Sequence, residues 1–308
     1  FLKQSYHLRA DAKKSALNSF DITLENQMHI THTSPKHSTL GKKTDYKTQY
    51  DASLLFPIAR ENRRGTIGIT NTLPFFGFDI WNHYEVSWLN QKGKPIVAIA
   101  HIIYPAASKN IIESKSLKLY FNSFNNTCFE SLASVKKTIE RDLLESLETE
   151  LIAVTITPTA VFSEEKLQSH LNGIGLDELD IDFDIYRNDP TLLMTENEWV
   201  EETLYSDLLR SNCLITNQPD WCSVQINYKG KKINHAGLLR YLVSFRNDNE
   251  FHEHCIEKIF MHIMQRCNPT ELTVYGRSTR RGGLDINSYR STKPVKIDEI
   301  RNIRLCRQ

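Results

Sequence analysis

The chain has 308 residues, with 38 Lys and Arg against 37 Asp and Glu for a net charge of +1, and 40% of its residues are hydrophobic. That length permits one large domain or two ordinary ones, and 12 Gly with 10 Pro exclude a collagenous or low-complexity chain. The balanced charge argues against a protein held to nucleic acid by phosphate neutralisation, and no apolar run approaches the roughly 18 residues that span a bilayer.

Residues 1–45 are polar, rich in His, Thr, Lys and Ser, and lack both a sustained period and the apolar core of a secretory signal. They read as a flexible arm, and the whole as a soluble, cytoplasmic protein. Residues 84–89 and 96–103 are strand-like and flank Asn90-Gln91-Lys92-Gly93-Lys94, a hairpin connection with Gly93 available for a positive φ. Leu132, Val135, Ile139, Leu143 and Leu147 recur at three and four, which predicts an amphipathic helix, and residues 151–156 follow as a strand. These elements compose a first unit, 46–162. Residues 163–205 are acidic with few turn signals and read as a connector or insertion.

A second unit, 206–308, returns to the same order. Residues 221–228 form a strand with Lys229-Gly230 as its turn, residues 248–267 put Phe251, Cys255, Ile259 and Ile263 on one helical stripe, and residues 272–275 are strand-like. Tyr120, Ser123, Phe124 and Asn126 match Tyr241, Ser244, Phe245 and Asn247 at a constant offset of 121 positions, the mark of a duplicated sheet-and-helix unit.

Six cysteines (128, 213, 222, 255, 267 and 306) lie far apart without C-x-x-C pairs, so they form no disulfide framework. His252, His254, Cys255, His262 and Cys267 follow helix periodicity rather than ligand spacing, and no metal is expected. His252 and Glu253 fall in the first turn of that helix, after a capping box expected from Asn247 and Glu250, at an exposed, electropositive helix start. Residues 211–221 place the thiol of Cys213 and the carboxylate of Asp220 on one short loop, suited to a nucleophile with its acid. A structural Cys beside a turn Asp fits the same spacing. Glu113 to Tyr120 sets a carboxylate beside two lysines, and by itself reads as a solvated charged segment. Thr279-Arg280-Arg281-Gly282-Gly283 suits a phosphate-bearing ligand or a plain basic turn.

Taken together, these segments resemble the NADPH-dependent 7-cyano-7-deazaguanine reductases, the nitrile reductases of queuosine biosynthesis. Glu113-Ser114-Lys115-Ser116-Leu117-Lys118-Leu119-Tyr120 is similar to that family's signature. Asp79-Ile80-Trp81, Ser87-Trp88-Leu89-Asn90 and residues 211–221, 238–253 and 279–287 resemble its long, two-unit form, so the likeness runs from about Lys43 to the C-terminus.

The resemblance implies an α+β fold of tandem tunnelling-fold units, each an antiparallel sheet backed by two helices, assembled as a homodimer. It implies that Cys213 attacks the nitrile carbon to give a thioimide while Asp220 protonates the nitrogen. Glu113 and Glu253 would hold the guanine-like edge, His252 would position the substrate and move protons, and Ile112 and Ser114 would line the same pocket. Ser114, Lys115, Arg281 and Gly282 match the family's NADPH contacts, and a nitrile-to-amine conversion takes two NADPH per turnover. The partners implied are a small deazaguanine and neither nucleic acid nor membrane. Cys222 stands where the family commonly has Gly, and two readings are open for it: simple packing, or a disulfide or mixed-thiol artefact with Cys213 under oxidation. A metal-dependent pterin or purine enzyme of the same fold, and a non-catalytic deazaguanine or transfer-RNA binder, are the rival readings.

Overall fold

Apolar alternation and helical periodicity resolve, in the computed structural model, into eleven strands and five α-helices, with short 3-10 turns between them, among the described residues, which are 46–70, 72–161 and 167–308. The predicted arm, 1–45, lies outside the described residues. In chain order come β1 (Pro57–Ala59), α1 (Glu61–Arg64), β2 (Phe76–Leu89), β3 (Pro95–Pro105), β4 (Asn110–Ile112), α2 (Ser114–Phe124), α3 (Leu132–Leu147) and β5 (Ala153–Pro158). There follow β6 (Ile174–Gly175), β7 (Thr195–Cys213), β8 (Pro219–Ile233), α4 (His235–Ser244), β9 (Asn249–Glu250), α5 (His252–Cys267), β10 (Glu271–Ser278) and β11 (Leu284–Ser291).

One sheet runs β5-β3-β2-β11-β10-β8-β7-β6, with β9 added to β7, while β1 and β4 form a separate pair. Pairing is antiparallel except where the two-residue strands β6 and β9 lie parallel to β7. Strands β2, β3 and β5 are backed by α2 and α3, and β7, β8, β10 and β11 by α4 and α5. This is the α+β tandem tunnelling fold. The two halves are joined edge to edge by β2 and β11, from His83 opposite Leu284 to Phe76 opposite Ser291, so residues far apart in sequence meet at the seam.

The hairpin and helix follow their local chemistry. Asn90 closes the β2–β3 turn by accepting from the Lys92 and Lys94 N–H groups at 2.9 and 3.0 Å, and Gly93 takes φ 74°. Helix α3 opens on a capping box of Ser131 and Ser134 and buries Val135, Ile139, Leu143 and Leu147. The sequence repeat has a structural meaning: the Ser123 and Ser244 hydroxyls each donate to the carbonyl three residues back, Tyr120 and Tyr241, at 2.6 Å. Glu113 and Asn234, also 121 apart, cap α2 and α4. Phe124, fully buried, meets Tyr50, Tyr120 and Phe129 at centroid distances of 5.3, 5.0 and 5.1 Å. Phe124→Ala should therefore cost about 3–5 kcal/mol of stability, read by urea denaturation.

Three local expectations change. Strand β8 continues through Lys229 and Gly230 instead of turning, since both pair with β7. A Cβ on Gly230 would meet Pro269 Cα at 2.9 Å, so this glycine serves a close backbone approach. Strand β7 begins at Thr195, inside the stretch read as connector. Its acidic residues are cross-strand partners, with Lys232 3.7 and 3.1 Å from Glu196 and Glu198 and Lys229 3.7 Å from Glu201. The capping box of Asn247 and Glu250 does not form. Helix α5 starts at His252 behind Phe251, which makes no side-chain cap, because Glu250 is held in β9 opposite Cys213.

Candidate active site

The β7–β8 turn builds the first part of the site. Cys213 is the last residue of β7, and its N–H donates to the Gln218 carbonyl at 2.7 Å while its own carbonyl accepts from Asn217 and Asn249. Asp220 lies directly opposite Ser211. Because side chains alternate along a strand, Ser211, Cys213 and Asp220 share one face, with thiol and carboxylate as diagonal neighbours. Both are buried, at 6% and 7% exposure, and Asp220 stands in β8 rather than in a turn. Burial pushes the Cys213 thiol up, but the Thr216 hydroxyl, the Thr216 and Ile215 N–H groups and the Arg281 guanidinium more than offset it and hold the thiol below its usual value. Thr216→Val should accordingly slow iodoacetamide alkylation of Cys213 at neutral pH by roughly threefold or more, and leave it unchanged once pH exceeds the thiol's ordinary range.

The parallel pairing of Cys213 with Glu250 brings the start of α5 to the thiol. His252 lies close behind: its Nε2 is 3.8 Å from Asp220 Oδ2, and its Nδ1 shares a 3.0 Å hydrogen bond with the Ser278 hydroxyl. Burial, reinforced by the Arg281 charge and opposed by Asp220, lowers its pKa and favours the neutral ring. Glu253, 3% exposed, is pushed up to about 7, mainly by burial and by the like charge of Asp79, against Arg60 and Arg290. Its Oε1 has no hydrogen-bond partner. The helix start is thus enclosed rather than exposed, because α5 tucks behind the β7–β8 turn.

From the other half of the chain, Glu113 caps α2 by accepting from the Lys115 and Ser116 N–H groups at 2.8 and 2.9 Å. It is 2% exposed, and burial raises its pKa despite those bonds. An ionised carboxylate has about four lone-pair positions, so it can still accept from a ligand. The charged segment of the sequence reading is therefore a buried helix cap.

The Thr279–Gly283 turn supplies the basic side. Arg281 Nη1 lies 2.9 Å from Asp220 Oδ1 but has no aligned hydrogen bond, and so retains a donor for another anion. Gly282 and Gly283 take φ 63° and 81°. A Cβ on Gly282 would come within 3.2 Å of Lys118 Nζ, so the turn lies against a lysine of the signature.

One cleft of about 360 Å³, open mouth included, gathers Cys213, Asp220, His252, Glu253, Glu113 and Arg281, with Ile112 and Ser114 also in its wall. Lys115 and Gly282 do not line it, although each adjoins a residue that does. Sequence reasoning missed Ile111, Glu250, Phe251 and Ile286 in the same lining. Phe251 and Glu250 directly precede the His-Glu pair, a signal that was available, whereas Ile286 enters only through the β2–β11 seam. Cys222 lies in the core with Cys255. Burial pushes its thiol up to about 11, and every cysteine is free, so it packs rather than pairing with Cys213. Among the described residues, no cluster of three or more His, Cys, Asp and Glu could hold a metal ion, and no helix is long and apolar enough to cross a membrane.

Fold and cleft together define a tandem tunnelling-fold protein with a buried thiol and carboxylates from both halves in one cleft. Residues 46–156 match the family model described as nitrile reductase, 7-cyano-7-deazaguanine-reductase N-term, and residues 219–296 match that of QueF-like protein. The NADPH-dependent 7-cyano-7-deazaguanine reductase of Legionella pneumophila (strain Lens) is 57% identical over 272 residues, 88% of this chain and 95% of that protein. The protein of the same name from Paraburkholderia phytofirmans is 53% identical over 277 residues, 89% and 99% of the two chains. The chain belongs to the NADPH-dependent 7-cyano-7-deazaguanine reductase family.

Proposed function

We propose that this protein reduces the nitrile of 7-cyano-7-deazaguanine to the aminomethyl group with NADPH, in queuosine biosynthesis, through a covalent thioimide on Cys213. The observation that carries the reading is the single cleft in which a thiol with a lowered pKa sits beside Asp220 and opposite two buried carboxylates. Glu253 and Glu113 accept from the N–H groups of the guanine-like edge, and a ligand without those donors leaves buried carboxylates unpaired, which gives strong discrimination. Cys213 sulfur adds to the nitrile carbon, the thiol proton passes by way of Asp220 to the nitrile nitrogen, and all atoms of the substrate are retained in the adduct.

For the cofactor, the fit is with the basic turn: Arg281 keeps a buried donor without a hydrogen bond, and a side chain on Gly282 would fill the space against Lys118. Arg281, Gly282, Ser114 and Lys115 are the residues that would hold its phosphates and ribose. When bound, NADPH supplies a hydride, and the four-electron change requires two in sequence. Between them Cys213 departs from carbon as thiolate, and Asp220 with His252, 3.8 Å apart, supplies and returns protons. A homodimer that takes only small ligands completes the proposal; β5, paired only with β3 among the described residues, offers a free sheet edge for a second copy.

The test is intact mass after incubation with the nitrile and no cofactor. A gain equal to the whole nitrile, mapped to Cys213, supports the reading. Tight binding without an adduct favours the non-catalytic binder.

A further inference from the structure

Behind Glu253 the chain buries a cluster of charges that the reaction does not use. One turn along α5, Glu257 accepts from Arg64 Nε and Nη2 at 3.0 and 2.6 Å and from Arg290 Nε and Nη2 at 3.1 and 2.9 Å. Arg60 Nη1 lies 3.6 Å from the same carboxylate. Asp79, on β2, takes Arg60 Nη2, Arg290 Nη2 at 2.9 Å and the Ser288 hydroxyl at 2.7 Å. Exposure is 6% for Arg60, 7% for Arg64, 0% for Asp79 and Arg290, and 2% for Glu257.

Guanidinium groups keep their proton in proteins. Three buried cations therefore face two carboxylates, and one positive charge is left over. Buried charge without a counter-charge is costly. A second cavity, walled by Arg60, Glu257, Ile111 and Phe251, opens onto Glu253, whose Oε1 is unpartnered. Ionised, Glu253 balances the cluster and presents acceptors to the cleft. Other groups around it are His252 and His254 of α5, Arg63 of α1, Tyr104 of β3 and Glu250 of β9. On the cleft side stand Glu113, Cys213, Asp220 and Arg281. Arg63 and His254 lie 3.6 and 3.3 Å from Glu250, which engages them away from Glu253.

We propose that Arg60, fixed between Asp79 and Glu257, is a positioning residue that keeps Glu253 a carboxylate aimed into the substrate cleft. The role rests on the reading of Glu253 as the ligand's anchor. Because burial pushes Glu253 up to about 7 while Arg60 pulls it down and Asp79 pushes it up, the two partners have opposite effects.

The experiment is KM for the nitrile as a function of pH in the full-length enzyme, for wild type, Arg60→Gln, Arg60→Lys and Asp79→Asn. Wild type should lose affinity as pH falls through about 7. Arg60→Gln should move that inflection up by about one unit, raising KM about fivefold at pH 7 and approaching tenfold below it, and returning towards wild type at high pH, with kcat little changed. Arg60→Lys should restore the profile, and Asp79→Asn should move it down. A uniform rise in KM at every pH for Arg60→Gln, or an unmoved inflection, overturns the proposal in favour of a purely structural role. If Arg60→Gln does not fold, Asp79→Asn decides: a downward shift supports the proposal, and none or an upward shift overturns it. Wild-type protein that neither binds nor reduces the nitrile at any pH instead overturns the functional reading, and this role with it.

Discussion

Cys213→Ala should lower nitrile reduction by about 10⁴-fold or more while leaving the ligand bound. The size follows from the proposed mechanism: without the sulfur the covalent intermediate could not form, and hydride would have to add to an unactivated nitrile. The substitution itself is mild. Cys213 anchors the turn through its backbone N–H and carbonyl, which alanine retains, and the carboxylates that would hold the ring lie on other elements, Glu113 at α2 and Glu253 on α5. Ligand affinity by calorimetry should therefore stay within a few fold of wild type, and the intact-mass adduct should vanish. A variant that still turned over at a tenth of the wild-type rate would place the chemistry elsewhere.

Glu253→Gln should raise KM and lower kcat/KM by roughly a few hundred- to a few thousand-fold, corresponding to about 3–5 kcal/mol. A glutamine of nearly the same shape replaces a charged acceptor with one neutral acceptor and an NH₂ that faces the ligand's own donors. It also removes the negative charge that balances Arg60, Arg64 and Arg290 against Asp79 and Glu257. The loss should exceed that of Glu113→Gln, because Glu113 already spends part of its capacity on the Lys115 and Ser116 N–H groups. Steady-state kinetics of the two variants side by side would check the ranking. Equal or smaller loss for Glu253→Gln would show that Glu253 is not the main anchor.

The local elements of the fold could be read from the chain directly, whereas the candidate site was legible mainly through the family resemblance: taken alone, Glu113 read as part of a solvated segment, and Cys213 with Asp220 fitted a structural pair as well as a reactive one. The β2–β3 hairpin, the α3 stripe and the 121-residue repeat are local in sequence, and each has its structural counterpart, down to the paired serine-to-carbonyl bonds. The cleft residues Cys213, Asp220, His252 and Glu253 fall at strand ends and a helix start, where period and turn chemistry change. What escaped was set by long-range pairing. The acidic residues of β7 disguised a strand because their lysine partners lie on β8. Gly230 resembled a turn because nothing local reveals the approach of Pro269. Asn247 and Glu250 fitted a capping box until the pairing of Glu250 with Cys213 took precedence. The charge cluster under Glu253 draws on α1, β2, α5 and β11, and no single segment of sequence displays it.

The most direct test of the central claim is the number of NADPH molecules oxidised per aminomethyl product formed from 7-cyano-7-deazaguanine, measured for wild type and Cys213→Ala in parallel. The account predicts two for the wild type, with neither oxidation nor product from the variant. One cofactor per product, or oxidation at the wild-type rate by Cys213→Ala, would contradict it.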